Sequence, residues 1–77
     1  MNYCIAYGEN DTIIFDLSRS GNTYAVSTWD RIAHKTIHTS YFDSCTWACK
    51  EFFAECDKHG ITPKKVEHKP SDFANIN

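Results

Sequence analysis

The residues of this chain with the clearest capacity for chemistry are its cysteines and histidines, four of each among 77 residues. Thiolates and imidazoles are the ligands that zinc prefers, and a structural zinc site usually combines two closely spaced pairs of them. Cys45 and Cys49 form one such pair. No second pair follows, because Cys56, His59 and His68 are scattered. The spacing therefore predicts no metal ligand.

A cysteine can also act as a nucleophile, which requires a thiolate beside a base. Cys45 falls in the first turn of a predicted helix, where the dipole favours a thiolate, but it also lies on an apolar stripe, where burial favours the neutral thiol. Phosphate-binding loops are absent from the sequence, since Gly8, Gly21 and Gly60 are isolated. We therefore expect no catalytic residue, no cofactor and no enzyme activity.

Residues 43–60 have a helical pattern that accounts for three of the cysteines without any chemistry. Small or apolar side chains recur at i, i+3, i+4, i+7, i+8 and i+11 of a single helix face, namely Cys45, Ala48, Cys49, Phe52, Phe53 and Cys56. Asp43 is the predicted N-cap, because its carboxylate can accept hydrogen bonds from the first turn. Gly60 is the predicted stop, and Pro63 keeps the helix from resuming. This pattern predicts one amphipathic helix with a buried stripe.

Trp47 lies roughly 160–200° around the helix from that stripe, so its indole is expected to face solvent. An exposed tryptophan among charged side chains is typical of an interface anchor. The alternative is a hydrophobic staple, in which Phe42 at N′ packs on Trp47 at N4 of a helix capped by Asp43. Trp29, at the end of a predicted strand, is either a lid on the core or a second anchor.

The charged residues are unevenly distributed. Residues 1–57 hold eight acidic and four basic side chains, whereas residues 58–77 hold four lysines and two acids. An acidic body disfavours nucleic acid as the main ligand and favours a partner with a basic surface. The acids expected to steer association are Glu9, Asp11, Asp16, Glu51, Glu55 and Asp57. The predicted partner-binding residues are Trp47, Trp29, Asp30, Arg31, Glu51, Glu55, Glu9 and Asp11.

The part of the chain before the helix alternates between apolar and polar residues with the period of β-strands. The predicted strands are residues 3–7, 12–17, 23–29 and 35–41, with a fifth candidate at 64–68. Gly8 is expected to end the first strand, and Gly21 to supply a positive φ in the second turn. Ile37, Thr39 and Tyr41 are expected to share one face of the fourth strand. The side chains predicted to face the helix are Ile13, Phe15, Tyr24, Val26, Ile37 and Tyr41.

Short connections between these strands predict an antiparallel meander. The fold class is therefore predicted as α+β, an antiparallel sheet of four strands, or five with the last candidate, and one amphipathic helix packed on one face. A chain of 77 residues is close to the lower limit for a fold held by a hydrophobic core alone. We expect a single domain at residues 1–69 and a flexible tail at residues 70–77.

The sequence has no run approaching the roughly 18 apolar residues that cross a bilayer. Its first residues lack the basic and apolar regions of a signal peptide. The protein is therefore expected in the cytoplasm, with reduced cysteines.

The four strands and the segment Phe42-Asp43-Ser44 that enters the helix form an architecture that resembles the single-domain inhibitors encoded by phages and other mobile elements. Anti-CRISPR proteins are the nearest group. The likeness extends over nearly the whole chain but includes no shared motif, so it assigns a role to no individual residue. It implies a non-enzymatic protein that occupies the surface of a host effector, often the basic surface meant for nucleic acid.

These features together predict a small non-enzymatic protein that binds and inhibits a larger host protein or nucleoprotein complex. Direct binding to nucleic acid or to a membrane is not expected, and a homodimer is left open. The alternative function is a small regulatory nucleic-acid-binding module with a lysine-rich C-terminal segment. Its basic residues would be Arg31, Lys35, Lys64, Lys65 and Lys69.

Overall fold

The computed structural model describes residues 3–66. The strands are β1 Tyr3–Glu9, β2 Ile13–Ser20, β3 Thr23–Asp30, β4 Lys35–Phe42 and β5 Lys64–Lys65, and the helix is α1 Cys45–Lys58. The four predicted strands before the helix are confirmed, and each runs past its predicted end. The fifth is confirmed over two residues. Val66, also predicted in this strand, follows its end. The rest of that prediction, at 67–68, and the predicted tail at 70–77 lie outside the described residues.

Neighbouring strands all pair antiparallel, in the spatial order β4-β3-β2-β1-β5. The central position of β2 explains why it has apolar side chains on both faces, with Phe15 on the helix side and Ile14 on the other. α1 packs on one face of this sheet, so the predicted α+β class is confirmed. The described residues form one helix, α1, and it is not long and apolar enough to cross a membrane.

β1 continues through Gly8 instead of ending there, which corrects the sequence prediction. A Cβ atom at Gly8 would lie 2.7 Å from Cγ2 of Ile61 and 3.0 Å from Sγ of Cys56. The missing side chain therefore lets the end of α1 and the residues after it sit directly on the strand. Gly21, in contrast, is a turn residue with a φ of +61°, as predicted.

The helix begins one residue later than predicted. Its N-cap is Ser44, whose carbonyl oxygen accepts the first intrahelical bond from the amide of Ala48 at 3.1 Å. Asp43 is thus N′, and its predicted role as N-cap is wrong. The C-terminal end follows the prediction, because Gly60 has a φ of +65° just after the C-cap His59.

The residues after the helix close its end with two backbone hydrogen bonds. The amide of Ile61 donates to the carbonyl of Cys56 at 2.8 Å, and the amide of Gly60 donates to the carbonyl of Asp57 at 3.1 Å. This pair of bonds is the Schellman arrangement, which satisfies the free carbonyls of the last turn. Ile61 is buried against the core as a result.

The core joins one row of the helix to the centre of the sheet. Ala48, Phe52 and Cys56, at steps of four residues, are almost completely buried against a floor that includes Phe15 and Leu17. The predicted buried stripe is correct for these three residues, and Cys49 packs at its margin.

Two members of the predicted stripe are not buried. Cys45 is exposed because it occupies the first turn, next to the cap. Phe53 is 52% exposed, because it lies roughly 100° around the helix from Phe52, beyond the part of α1 that the sheet covers. The buried face is therefore narrower than the sequence pattern indicated.

The prediction of which β4 side chains share one face of the sheet is wrong. Thr28 pairs with His38 and Trp29 pairs with Thr36, so Ile37 is an extra residue in a β-bulge. Beyond the bulge the side chains on the helix side are His38, Ser40 and Phe42, while Tyr41 lies on the open face and is 72% exposed.

The side chains predicted to face the helix differ in how deeply they are buried. Ile37 does line the helix side, but it is 51% exposed, so the predicted core contributions of Ile37 and Tyr41 are both wrong. Phe15 and Val26 are buried as predicted, and Ile13 and Tyr24 pack at the edge of the core.

Candidate partner-binding site

A groove of about 260 Å³ separates α1 from the edge strand β4. It exists because the helix crosses the sheet diagonally. α1 begins just after β4 and ends over β1, where Ile61 and Cys56 approach Gly8. The first half of β4 is therefore left without a helix above it. The lining consists of Ile13, Phe15, Val26 and Thr28 from the central strands, Ile37, His38 and Ser40 from β4, and Glu51, Glu55 and His59 from the helix and its C-cap.

The helix side of the groove is acidic. Glu51 and Glu55 are one turn apart and half-buried. Within residues 3–66, the one ion pair is formed by Arg31 and Glu9, at 3.7 Å. Neither Glu51 nor Glu55 therefore has a cationic partner among these residues. Two unpaired carboxylates above an apolar floor are suited to a ligand with an aliphatic stem and a positive head.

Two histidines line the groove, His38 on the β4 wall and His59 at the end of the helix. Nδ1 of His59 donates to the carbonyl oxygen of Glu55 at 3.0 Å, and its ring lies 5.1 Å from the ring of Phe15. Nε2 of His38 is 2.9 Å from Oγ of Ser40. These contacts orient both rings, so the groove has defined polar walls around its apolar floor.

Trp47 continues the row of groove-lining helix residues toward the start of α1. Trp47, Glu51, Glu55 and His59 follow one another at steps of four residues, and each step turns roughly 40° toward the sheet. The indole is 61% exposed, as predicted, and the Lys50 ammonium lies 4.8 Å from its centroid. One continuous surface row therefore carries an aromatic group and two carboxylates.

The staple interpretation of Trp47 does not fit the observed cap. With Ser44 as N-cap, the staple positions N′ and N4 are Asp43 and Ala48, not Phe42 and Trp47. Trp47 is N3 in this helix, and Phe42 lies one residue before N′. Neither aromatic residue therefore occupies a staple position.

Four of the predicted partner-binding residues lie together at one end of the sheet, where β1 connects to β2 and β3 connects to β4. They are Glu9, Asp11, Asp30 and Arg31. Arg31 donates to the carbonyl of Asn10 at 2.8 Å and pairs with Glu9. Oδ1 of Asp30 accepts from the amides of Ala33 and Ile32, both at 2.9 Å, and these bonds lower the pKa of its carboxyl. Asp30 and Arg31 therefore brace the turns. Glu9 and Asp11 are exposed beside them.

Trp29 is on the other face of the sheet from the helix. It follows the buried Thr28 along β3 and borders a depression with Ile14, Asp16 and Thr36. It is 38% exposed and does not cover the helix-side core. The structure thus separates the two predicted tryptophan anchors, because Trp47 lies on the helix.

The open face also carries a half-buried carboxylate. Burial raises the pKa of Asp16, and a hydrogen bond with Ser18 opposes this shift. The thiol pKa of Cys4 is raised by burial and by the nearby Asp16 charge. The raised pKa of Cys4 disfavours the thiolate, the form in which a cysteine acts as a nucleophile.

The remaining cysteines show no catalytic arrangement. Sγ of Cys45 is 3.7 Å from Sγ of Cys49. Burial raises the thiol pKa of Cys49, with Cys45 adding to the shift, and burial followed by the Glu55 charge raises that of Cys56. Within residues 3–66 no three His, Cys, Asp or Glu side chains are grouped as metal ligands.

Within residues 3–66, the basic residues of the alternative function do not form one surface. Lys35 begins β4 at one edge of the sheet, whereas Lys64 and Lys65 form β5 at the opposite edge. Arg31 is engaged by Glu9 and Asn10, and Lys69 lies outside the described residues. This arrangement does not favour a continuous nucleic-acid-binding face.

Sequence reasoning found Glu51, Glu55 and Trp47 but missed the groove beside them. Its other wall depends on which face of β4 turns toward the helix, and the bulge at Ile37 decides that. Phe42 was a usable signal, since placing this aromatic residue inward puts Ser40 and His38 inward as well. Comparison with protein-family models, curated proteins and solved structures finds no match. The resemblance to anti-CRISPR proteins therefore stays a prediction.

Proposed function

We propose that this chain is a small non-enzymatic protein that binds a basic surface of a larger host protein or nucleoprotein complex and thereby inhibits it, as anti-CRISPR-like proteins of phages do. The observation that carries the proposal is the row formed by Trp47, Glu51 and Glu55. It places two unpaired carboxylates along a groove with an apolar floor and an exposed indole one helical turn before them.

The energetics favour this row as the centre of an interface. A buried tryptophan anchor typically contributes about 2 kcal/mol or more to binding, and this corresponds to roughly a 30-fold change in Kd. Hydrogen bonds to charged groups contribute about 1.5–3 kcal/mol each when they are shielded from water. Glu51 and Glu55 are already half-buried, so a basic partner would complete their shielding and neutralise them.

We further place this activity in the cytoplasm of the host cell. Cys45, Cys49 and Cys56 are free thiols, the state that a reducing compartment maintains. A partner with a basic, nucleic-acid-binding surface would be present in the same compartment.

Quantitative affinity capture from a host lysate, followed by mass spectrometry, tests the proposal. The informative variants are Trp47→Ala and the double variant Glu51→Gln with Glu55→Gln. Phe53→Ala is the matched control for the indole, since Phe53 is a similarly exposed aromatic residue on the other flank of the same helix. Asp43→Lys changes the net charge equally at an exposed position outside the groove lining.

The proposal expects a basic protein that is retained by the wild type and by both controls but lost with the two groove-side variants. Inhibition of that protein's activity by the wild type alone would complete the case. Equal recovery with Trp47→Ala and Phe53→Ala would contradict the proposal, because the row would then have no specific role.

A further inference from the structure

The outer edge of β4 is an open pairing surface. β4 is the terminal strand of the sheet formed by residues 3–66, eight residues long, and pairs there only with β3. Its backbone groups on the outer side therefore resemble a template for another strand. After Lys35 the strand contains no Lys, Arg, Asp, Glu or Pro, the residues that commonly protect an edge. The bulge interrupts pairing at Ile37, and the register is regular from His38 to Phe42.

The groove lies beside this edge and on the helix side of it. A strand added next to β4 would lie about 4.8 Å farther out and would direct alternate side chains toward α1. Strand addition uses main-chain hydrogen bonds for affinity and pockets for alternate side chains for specificity. An edge strand and a helix that flank one groove supply both components.

The chemistry of the groove selects the side chain that would enter it. Its volume of about 260 Å³ is below the roughly 300–1,000 Å³ of sites for drug-sized ligands, so it suits side chains. Phe15 and Val26 on the floor match an aliphatic stem, and the unpaired carboxylates of Glu51 and Glu55 match a guanidinium or ammonium group.

We propose that the outer edge of β4 and the α1/β4 groove capture an extended basic segment of the partner as an additional strand, with arginine or lysine at alternate positions contacting Glu51 and Glu55. This inference rests on the proposed function and specifies its binding mode. The partner's segment would pair along His38 to Phe42, while Trp47 contacts the surface next to it.

The direct test uses synthetic peptides and 15N-labelled protein. The probe is a blocked eight-residue peptide of alternating arginine and valine, titrated while amide shifts and Kd are measured. A peptide with glutamate in place of arginine tests charge. Two further peptides, N-methylated on all arginines or on all valines, test strand pairing, because each removes the main-chain donors along one edge of the extended peptide.

The proposal expects shifts confined to β4 and to the helix face that carries Glu51 and Glu55. The glutamate peptide should not bind, and at least one N-methylated peptide should bind about tenfold or more weakly, since several main-chain bonds are lost together. The double variant Glu51→Gln with Glu55→Gln should weaken binding by about tenfold. Asp43→Lys, which changes the net charge equally at an exposed position outside the groove lining, should leave it unchanged.

Three results would overturn the proposal. One is that the parent peptide does not bind. Another is that both N-methylated peptides bind with the same affinity as the parent peptide. The third is a dimer whose β4 amides are protected from exchange, because a second copy would then occupy the edge. If the peptides fail while capture of a partner still depends on Trp47, strand addition is wrong and the proposed function stands.

Discussion

Replacing Gly8 by alanine tests the contact that sets the path of the helix across the sheet. The added Cβ would lie 2.7 Å from Cγ2 of Ile61 and 3.0 Å from Sγ of Cys56, both closer than atoms in contact normally approach. Both neighbours are buried, so they cannot simply rotate into solvent. Relief requires the end of α1 to move away from β1.

The expected loss of stability follows from two opposing terms. Overpacking a core typically costs about 1–3 kcal/mol, and replacing glycine by alanine inside a strand regains about 0.5–1 kcal/mol. The midpoints of these ranges leave a net loss of about 1 kcal/mol, and their extremes bound it at about 0–2.5 kcal/mol. A domain of this size changes its Tm by roughly 4–8 °C per kcal/mol. Urea denaturation followed by circular dichroism measures this difference in the free energy of unfolding.

A double-mutant cycle with Ile61→Ala identifies the cause. If the contact between residues 8 and 61 is responsible, Gly8→Ala should cost about 1 kcal/mol less in the Ile61→Ala background than in the wild type. Gly21→Ala is the control, because Gly21 has a positive φ and nothing within 4 Å. Its cost should therefore be independent of Ile61. An equal cost of Gly8→Ala in both backgrounds would refute the close approach and the diagonal crossing derived from it.

Three further predictions concern burial and charge. Phe52→Asp should abolish cooperative thermal melting, since Phe52 is fully buried. Phe53→Asp, on the exposed flank of the helix, should melt within a few degrees of the wild type. Similar melting curves for the two variants would refute the helix orientation. Cys45 should react with a thiol reagent at pH 8 well before Cys56, because Cys56 is 1% exposed and its thiol pKa is raised. Peptide mapping of the label measures the order of reaction, and early labelling of Cys56 would contradict this prediction. Asp16→Asn should raise the Tm at pH 7, because a raised folded pKa means that the carboxylate is disfavoured in the folded state. That gain should shrink as the pH falls through the raised folded pKa of Asp16 and should be gone below 3.8, the unperturbed value. A gain that persists below that pH would show another cause.

The candidate site was only partly accessible to sequence reasoning. Helical periodicity was sufficient to place Trp47 outside the core, because the angle between two residues of one helix depends only on their separation. The same reasoning grouped Trp29 with Trp47, yet the two lie on opposite sides of the sheet. Joining residues of different elements into one surface needs the way the elements pack, and no local pattern contains that information.

The errors at β4 and at the helix have a similar origin. Alternation predicted Ile37, Thr39 and Tyr41 on one inner face, but one extra residue in a bulge changes which side chains point inward. The buried stripe of α1 was predicted too wide, because the sequence shows which residues are apolar and not how much of the helix the sheet covers. Phe53 is apolar and still half exposed.

The sequence by itself determined the four-stranded meander, the helix that follows it with its glycine stop, and the α+β class. These features depend on interactions between residues a few positions apart, which a linear pattern contains. Only the tertiary structure decided the diagonal path of α1, the open edge of β4 and the acidic groove between them. They arise from contacts such as that of Ile61 with Gly8, 53 residues apart in the sequence, and the geometry of such a contact emerges only when the chain is packed.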